Sequence, residues 1–268
     1  MTAQVSTSHR WPAIEMRGVG ARSMRDPGVI VAEDVNWTVQ AGDFWVIAGP
    51  QRGGKTDFLM MAAGLSAPEG GAYRVFDSEM PIFEDARLEE RLRVGFVFDG
   101  GKLFDHLTMI ENVALPISFH ENLPAEEARA RAEKLLEAVD VMTFADRTPS
   151  AVAWHWQQRA GLARALALKP ELLLLDNPLV GLDPRNAAWW LSFLGALNRG
   201  HALTDGKPVT IVATAQDFWS WRNHARSFAA LMDRKLCVLG DWAAVEQCDD
   251  EAVRELVLRP EIDRRAQI

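Results

Sequence analysis

The run Gly49-Pro50-Gln51-Arg52-Gly53-Gly54-Lys55-Thr56 sets glycine, lysine and threonine at the spacing G-x-x-x-x-G-K-[ST]. Residues of these types at this spacing bind phosphate. Gly49, Gly53 and Gly54 let the backbone turn until successive N–H groups converge on one anion, and the amino end of a following helix adds positive potential. Lys55 then supplies an ammonium for the β- and γ-phosphates, and the Thr56 hydroxyl a hard ligand for Mg²⁺. With Asp57 in the first helical turn, the nucleotide-binding candidates are Gly49, Pro50, Gln51, Arg52, Gly53, Gly54, Lys55, Thr56 and Asp57. A second acid is needed beside the metal. Asp176 fits, because it closes the apolar run Leu172–Leu175 and so puts a carboxylate at the carboxyl end of a strand. The bland alternatives are a glycine turn with a chance Lys-Thr and an aspartate that only caps a turn.

These groups need a frame to hold them. Thr38–Asp43 reads as a turn feeding the apolar strand Phe44–Ala48, which enters the glycine run directly, and Asp57–Leu65 is apolar enough for a buried helix. Further strands are expected at Arg93–Phe98, Glu171–Asp176 and Val209–Thr214, each with the unbroken apolar character of a parallel strand buried on both faces. Between the second and third strands the chain turns helical. Pro124 opens Ala125–Val139, where Ala128, Ala132, Leu135, Leu136 and Val139 fall on one face. Strands alternating with helices imply an α/β fold with a parallel sheet core and a helical insertion.

The chain has 268 residues, enough for one large or two small domains, and at 48% hydrophobic and 25% charged it has a folded composition. Its 29 Lys+Arg against 37 Asp+Glu give a net charge of -8, which disfavours a phosphate-backbone binder and leads us to expect no nucleic-acid partner. Cys237 and Cys248 stand outside any metal-ligand or disulfide spacing, as suits a reducing cytosol. No apolar run approaches the roughly 20 residues of a bilayer span, so no direct membrane crossing is expected. Residues 1–10 read as a loose tail without a signal peptide's apolar core.

From Ile14 to Leu239 the chain resembles the nucleotide-binding subunit of an ATP-binding-cassette (ABC) transporter. Arg159–Pro170 followed by Glu171–Pro178 resembles the helix after the ABC signature and the Walker B strand, and Gly181-Leu182-Asp183-Pro184 resembles the D-loop. Leu103–Thr108 with Glu111–Pro116 is similar to the stretch after the Q-loop in lipid-transporting cassettes, including those that maintain lipid asymmetry. The resemblance implies a P-loop NTPase fold with an antiparallel β subdomain and a helical subdomain at about 100–165. It places one cassette domain over 11–245 and a helical tail over 246–268. It further implies ATP and Mg²⁺ as ligands, a homodimer closing on nucleotide, transmembrane permease subunits as partners, and a cytoplasmic, peripheral place on the inner face of the membrane. Thr56, Asp176 and Asp99 are the metal candidates.

Several family positions are changed. The signature reads Val152-Ala153-Trp154-His155-Trp156, so Ala153 lacks the expected hydroxyl, while Trp154 and His155 add bulk where glycine permits close approach. The glutamate after Asp176 is Asn177, whose carboxamide cannot take a proton from water as a carboxylate does. The switch histidine corresponds to Gln216 and the Q-loop glutamine to Asp99, which either activates water or ligates Mg²⁺ or is a solvated loop acid. His155 either donates to a γ-phosphate or packs. No aromatic for adenine stacking stands near Arg22–Arg25. Asn177, Asp99 and Gln216 are therefore the catalytic candidates of an ATP-binding transport subunit with slow or atypical hydrolysis. The alternative is a catalytically inactive pseudo-ATPase. The pairs Trp154/Trp156, Trp189/Trp190 and Trp219/Trp221 suit either an interface or a core, and Leu103–Phe119 is the expected docking surface.

Overall fold

In the computed structural model, which describes residues 11–80 and 87–257, the antiparallel strands β1 (Ile14–Arg22) and β2 (Ile30–Val39) lead into β3 (Phe44–Ala48). β3 delivers the glycine run to α1 (Lys55–Ala62). There follow β4 (Ala72–Val75), β5 (Ser78–Glu79), α2 (Leu88–Leu92) and β6 (Val94–Val97). A helical block of α3 (Met109–Glu121), α4 (Ala125–Ala138) and α5 (Trp154–Leu166) precedes β7 (Leu172–Leu175) and α6 (Pro184–Arg199). β8 (Thr210–Ala215), β9 (Ser227–Met232), β10 (Lys235–Gly240), α7 (Trp242–Glu246) and α8 (Glu251–Val257) complete the described chain.

Two sheets result. One is four-stranded in the order β2-β1-β4-β5 and antiparallel; the other is six-stranded in the order β10-β9-β3-β8-β7-β6. In the larger sheet β3, β8, β7 and β6 run parallel, β9 runs parallel to β3, and β10 is the antiparallel edge. Successive side chains of a strand point to opposite faces, so a strand buried on both must be apolar throughout. In β3, Phe44, Val46 and Ala48 enter the core on the helical side, whereas Trp45 and Ile47 enter the core under the antiparallel sheet and α1. Leu173 and Leu175 divide from Leu172 and Leu174 in the same way. Each such leucine contributes about 1.5–3 kcal/mol by burial. The parallel register brings the ends of β3, β7 and β8 together at one edge, where the phosphate loop begins.

The four strands and the two helices read from the sequence lie where the apolar runs set them, with ends shifted by no more than three residues. β1, β2, β4 and β5 were implied only by family resemblance, because the solvent-facing residues of β1 and β2 interrupt their apolar pattern. The expected tail at 1–10 lies outside the described residues, as does 258–268 of the expected C-terminal tail, of which α8 is described. In the helical block, Thr108 caps α3 in a reciprocal capping box with Glu111. α5 approaches the loop after β6 backbone to backbone, since a Cβ on Gly161 would lie 2.6 Å from the Gly101 Cα. The tryptophans divide between core and surface: Trp190 and Trp221 are fully buried, and Trp154 is exposed.

Candidate functional site

β3 ends against its neighbour so closely that a side chain at Gly49 would put Cβ 2.2 Å from the Leu231 carbonyl oxygen. That contact, rather than a left-handed turn, requires Gly49. The left-handed turns fall on Arg52 (φ 60°) and Gly54 (φ 83°), which corrects the expectation that all three glycines supply the turning. Gly53 instead donates its N–H to the Pro50 carbonyl at 3.1 Å. Gly54 stands immediately before α1, where a Cβ would lie 2.5 Å from that of Val31, so its positive φ and its lack of a side chain both serve the loop. Lys55 is buried, and its Nζ donates to the carbonyls of Gly49 and Pro50 at 2.8 Å each. An ammonium has three protons to give, so one remains for a further acceptor. Burial lowers the Lys55 pKa, and the charge of Asp176 opposes that shift.

Asp176 is the hub of the second wall. Buried at the end of β7, it accepts from Thr56 Oγ1 through Oδ2 at 2.8 Å and from Thr214 Oγ1 through Oδ1 at 2.9 Å. The same Thr214 oxygen accepts the Asn177 N–H at 2.9 Å, and Asn177 Nδ2 donates to Asp176 Oδ1 at 3.3 Å. Asn177 itself is left-handed (φ 45°), and its Oδ1 is buried without a hydrogen-bond partner. Thr214 escaped the sequence reading, because a threonine after Ile211-Val212-Ala213 is ordinary in a strand. The Thr56 hydroxyl and Asp176 carboxylate are hard oxygen donors held together. Among the described residues no group of three His, Cys, Asp or Glu could enclose a metal ion. This donor set fits Mg²⁺, which keeps several waters and takes few protein ligands beside a phosphate.

A cavity of about 530 Å³ lies over the loop, lined by Arg52, Lys55, Thr56, Asn177 and Gln216 among others. Gln51, Gly53, Gly54 and Asp57 also face it, as does Arg25 from the loop between β1 and β2. The structure thus gathers most of the candidates into one space; Gly49, Pro50, Asp99 and Asp176 lie outside its lining, Gly49 and Asp176 directly beneath it through their bonds to Lys55 and Thr56. Asp57 lines the cavity, yet its Oδ1 accepts the Met24 N–H at 3.1 Å and so ties that loop to α1. Pro50 is exposed and outside the lining. Asp99 also lies outside it, half-buried, with its pKa raised first by burial and then by the charge of Asp176, against Lys102.

At the signature position Ala153 stands before α5 and makes no side-chain cap. Trp154 fills the space beside it. Its indole Nε1 lies 2.8 Å from where a Gly100 Cβ would be, and its ring edge about 3.9 Å from the corresponding point at Gly181. The indole therefore covers the loop after β6 and the loop before α6 at once. His155 packs on Trp156, with ring centroids 4.8 Å apart. One turn along α5, the Arg159 guanidinium lies 3.6 Å from the Trp189 ring centroid and 4.7 Å from that of Trp156. It also donates to Asp140 at 3.2 Å and to Asn186 Oδ1 at 3.0 Å. Asp183 caps α6 through the N–H groups of Arg185 and Asn186, which hold its carboxyl below the usual range.

Comparison with known proteins gives a consistent picture. A family model described as ABC transporter matches residues 32–180. The intermembrane phospholipid transport system ATP-binding protein MlaF of Escherichia coli (strain K12) is 31% identical over 229 residues, which is 85% of this chain and 82% of that protein. The sulfate/thiosulfate import ATP-binding protein CysA of Synechococcus elongatus is 37% identical over 153 residues, 57% of this chain and 43% of that protein. Among solved structures, the dimeric ATP-binding cassette MJ0796 bound to ADP and Pi superposes with a TM-score of 0.73 at 28% identity, covering 83% of this chain and 96% of that one. The cassette cbiO1 from Clostridium perfringens reaches a TM-score of 0.74 at 18% identity, over 94% and 96%, and shares the fold.

Proposed function

This chain belongs to the ABC transporter family as an ATP-binding subunit, and we propose that it works by capturing Mg-ATP and hydrolysing it slowly or atypically. The triphosphate lies on the amides of the loop, with the third proton of Lys55 and the N-terminus of α1 opposing its charge. Thr56 and Asp176 hold Mg²⁺, which neutralises charge on the terminal phosphates when bound. Asp99 is a further metal or water-activating candidate and Gln216 the γ-phosphate sensor. The domain limits 11–245 and 246–268 are part of the same reading.

One observation carries the claim of slow turnover. The position beside Asp176 holds Asn177, whose amide donates to that carboxylate and offers no base. General base catalysis supplies typically about 10²–10⁴-fold. Trp154 supports the claim independently, because an indole at the signature position packs over Gly100 and Gly181 where a small residue would leave the backbone open. The decisive measurement is Mg-dependent ATP turnover of the assembled transporter with Asn177→Glu and Lys55→Ala. We expect slow wild-type turnover that rises at least tenfold in Asn177→Glu. Fast wild-type turnover, unchanged by Asn177→Ala, overturns the reading. A wild-type rate equal to Lys55→Ala establishes the pseudo-ATPase instead.

The partners follow from the surface. Among the described residues no helix is long and apolar enough to cross a membrane, and membership of a transporter family supports transmembrane subunits as the partners that carry the path. Phe104, Leu115 and Phe119 are exposed on and before α3. Leu115 lines a cavity of about 330 Å³ with Leu107, Ile110, Ala114 and Ala128, bordered by Glu111 and Arg129, which suits docking of an amphipathic helix from a membrane subunit. The phospholipid transport named for MlaF supports a lipid substrate, and the dimer named for MJ0796 supports pairing of two cassettes on the inner face of the membrane.

A further inference from the structure

We propose that α8 fastens the loop carrying Gln216, and that Leu256 and Phe218 are thereby positioning residues for the contact of Gln216 with the terminal phosphate. The proposal rests on the reading that Mg-ATP binds at the phosphate loop with Gln216 at its γ-phosphate. β8 ends at Ala215, and Gln216 is the first residue beyond it, exposed and lining the cavity over the loop. Among the described residues no hydrogen bond of its side chain ties it to a neighbour. Where Gln216 stands is therefore set by the backbone on either side of it. On one side is β8; on the other is Phe218.

Phe218 is fully buried, edge-on to Phe228 with centroids 5.4 Å apart, and its N–H donates to the Leu256 carbonyl at 2.8 Å. Both ends of that bond depend on it. Leu256 is the last residue but one of α8, so its carbonyl is among those a helix terminus leaves without an intrahelical donor. Phe218 precedes the short turn Trp219–Trp221, and a buried N–H at that place has to find an acceptor outside the turn. α8 itself is lightly held. Its seven residues fall short of the roughly 12–15 at which an isolated helix becomes even marginal in water. It buries Val253 and Leu256 in the core that also takes Phe218 and Trp221, and Asp250 Oδ1 caps it by accepting from Ala252 and Val253 at 2.9 and 3.3 Å. An element with so few buried contacts opens before the sheet does. The other phosphate ligands do not lean on it, because Asp176 is held by Thr56 and Thr214, and Lys55 by the carbonyls of Gly49 and Pro50. Opening α8 thus loosens Gln216 and leaves the phosphate loop in place, so the loss falls on the γ-phosphate alone.

The test uses the full chain, with amide hydrogen exchange and calorimetric titration with Mg-ATP and Mg-ADP. The variants are Leu256→Asp, the milder Leu256→Ala, the exposed control Glu255→Ala, and Gln216→Ala alone and combined with Leu256→Asp. We expect exchange over 216–221 to rise about tenfold or more in Leu256→Asp while that over 49–56 stays unchanged. Mg-ATP affinity should fall about three- to tenfold and Mg-ADP affinity stay within about twofold. Leu256→Ala should show the same changes in smaller measure, and Glu255→Ala none. In the Gln216→Ala background Leu256→Asp should cost nothing further, because two residues acting through one contact are not additive. Unchanged exchange over 216–221 overturns the fastening. Equal losses for Mg-ATP and Mg-ADP, or full additivity with Gln216→Ala, overturn the positioning role and make α8 a general support. If wild type binds neither nucleotide, the Mg-ATP reading itself fails and the positioning role with it, while the exchange measurement still decides whether α8 holds the loop.

Discussion

At the scale of single residues, one hydroxyl organises the metal-side wall. Thr214 is fully buried, donates to Asp176 at 2.9 Å and accepts the Asn177 N–H at the same distance. Both partners belong to the proposed Mg-ATP site, so Thr214 sets their orientation without facing the cavity over the loop. Thr214→Val keeps the volume and removes both bonds. A buried N–H left without an acceptor costs about 1–3 kcal/mol. We expect urea denaturation to show a loss of that size and Mg-ATP affinity to fall with it, while Thr214→Ser retains both. Full stability in Thr214→Val would count against this role. The sequence alone did not single Thr214 out, because a threonine ending a β-branched strand is ordinary and only the register of β8 on β7 sets it beside Asp176.

At the scale of elements, α3 shows how a terminus is fixed by chemistry readable three residues apart. Thr108 N–H and Oγ1 donate to the Glu111 carboxylate at 2.7 and 2.8 Å, and Glu111 N–H donates to Thr108 Oγ1 at 3.3 Å. The Thr108 donors hold the Glu111 carboxyl below its ordinary 4.5. Because the folded pKa is the lower one, the unfolded chain takes up the proton first as pH falls. The stabilisation is therefore complete above pH 4.5 and disappears as pH falls through the folded value. The denaturation midpoint of Glu111→Gln should lie below wild type at pH 7 and converge with it in acid; a gap independent of pH would show that the charge is idle. Thr108→Ala should cost about 1 kcal/mol at neutral pH. The face of α4 was equally legible, since Ala128, Ala132, Leu135 and Leu136 recur at helical spacing and are buried in the structure.

At the scale of the whole molecule, one cation joins the helical block to α6 on top of the apolar core that both share with the sheet. Arg159, almost wholly buried on α5, lies on the Trp189 ring of α6 and bonds to Asn186, whose Nδ2 in turn donates to Asp183 at 2.6 Å. Trp189 Nε1 and Arg159 share the Asp140 carboxylate beyond α4. The N-terminal ends of α5 at Trp154 and of α6 at Asp183 are thereby fixed to one another. Arg159→Lys preserves the charge but not the plane that the indole covers, and it loses the second donor. We expect it to cost about 1–3 kcal/mol and to lower unfolding cooperativity. Thermal and urea unfolding unchanged from wild type would show that the layers are held by apolar packing alone.

The chemistry of the phosphate loop and the parallel α/β core were determined by the sequence on its own, because both rest on local rules. A glycine spacing limits which backbones are allowed, and an unbroken apolar run of strand length must be buried on both faces. Asn177 next to Asp176 was equally a local fact. The tertiary structure alone decided what joins residues far apart in the chain: Thr214 under Asp176, Trp154 across Gly100 and Gly181, Arg25 over the phosphate loop, and Arg159 between two indoles. Each depends on strand order and helix crossing, which bring together side chains separated by tens of residues. Spacing along a chain carries no information about such distances until the sheet has closed.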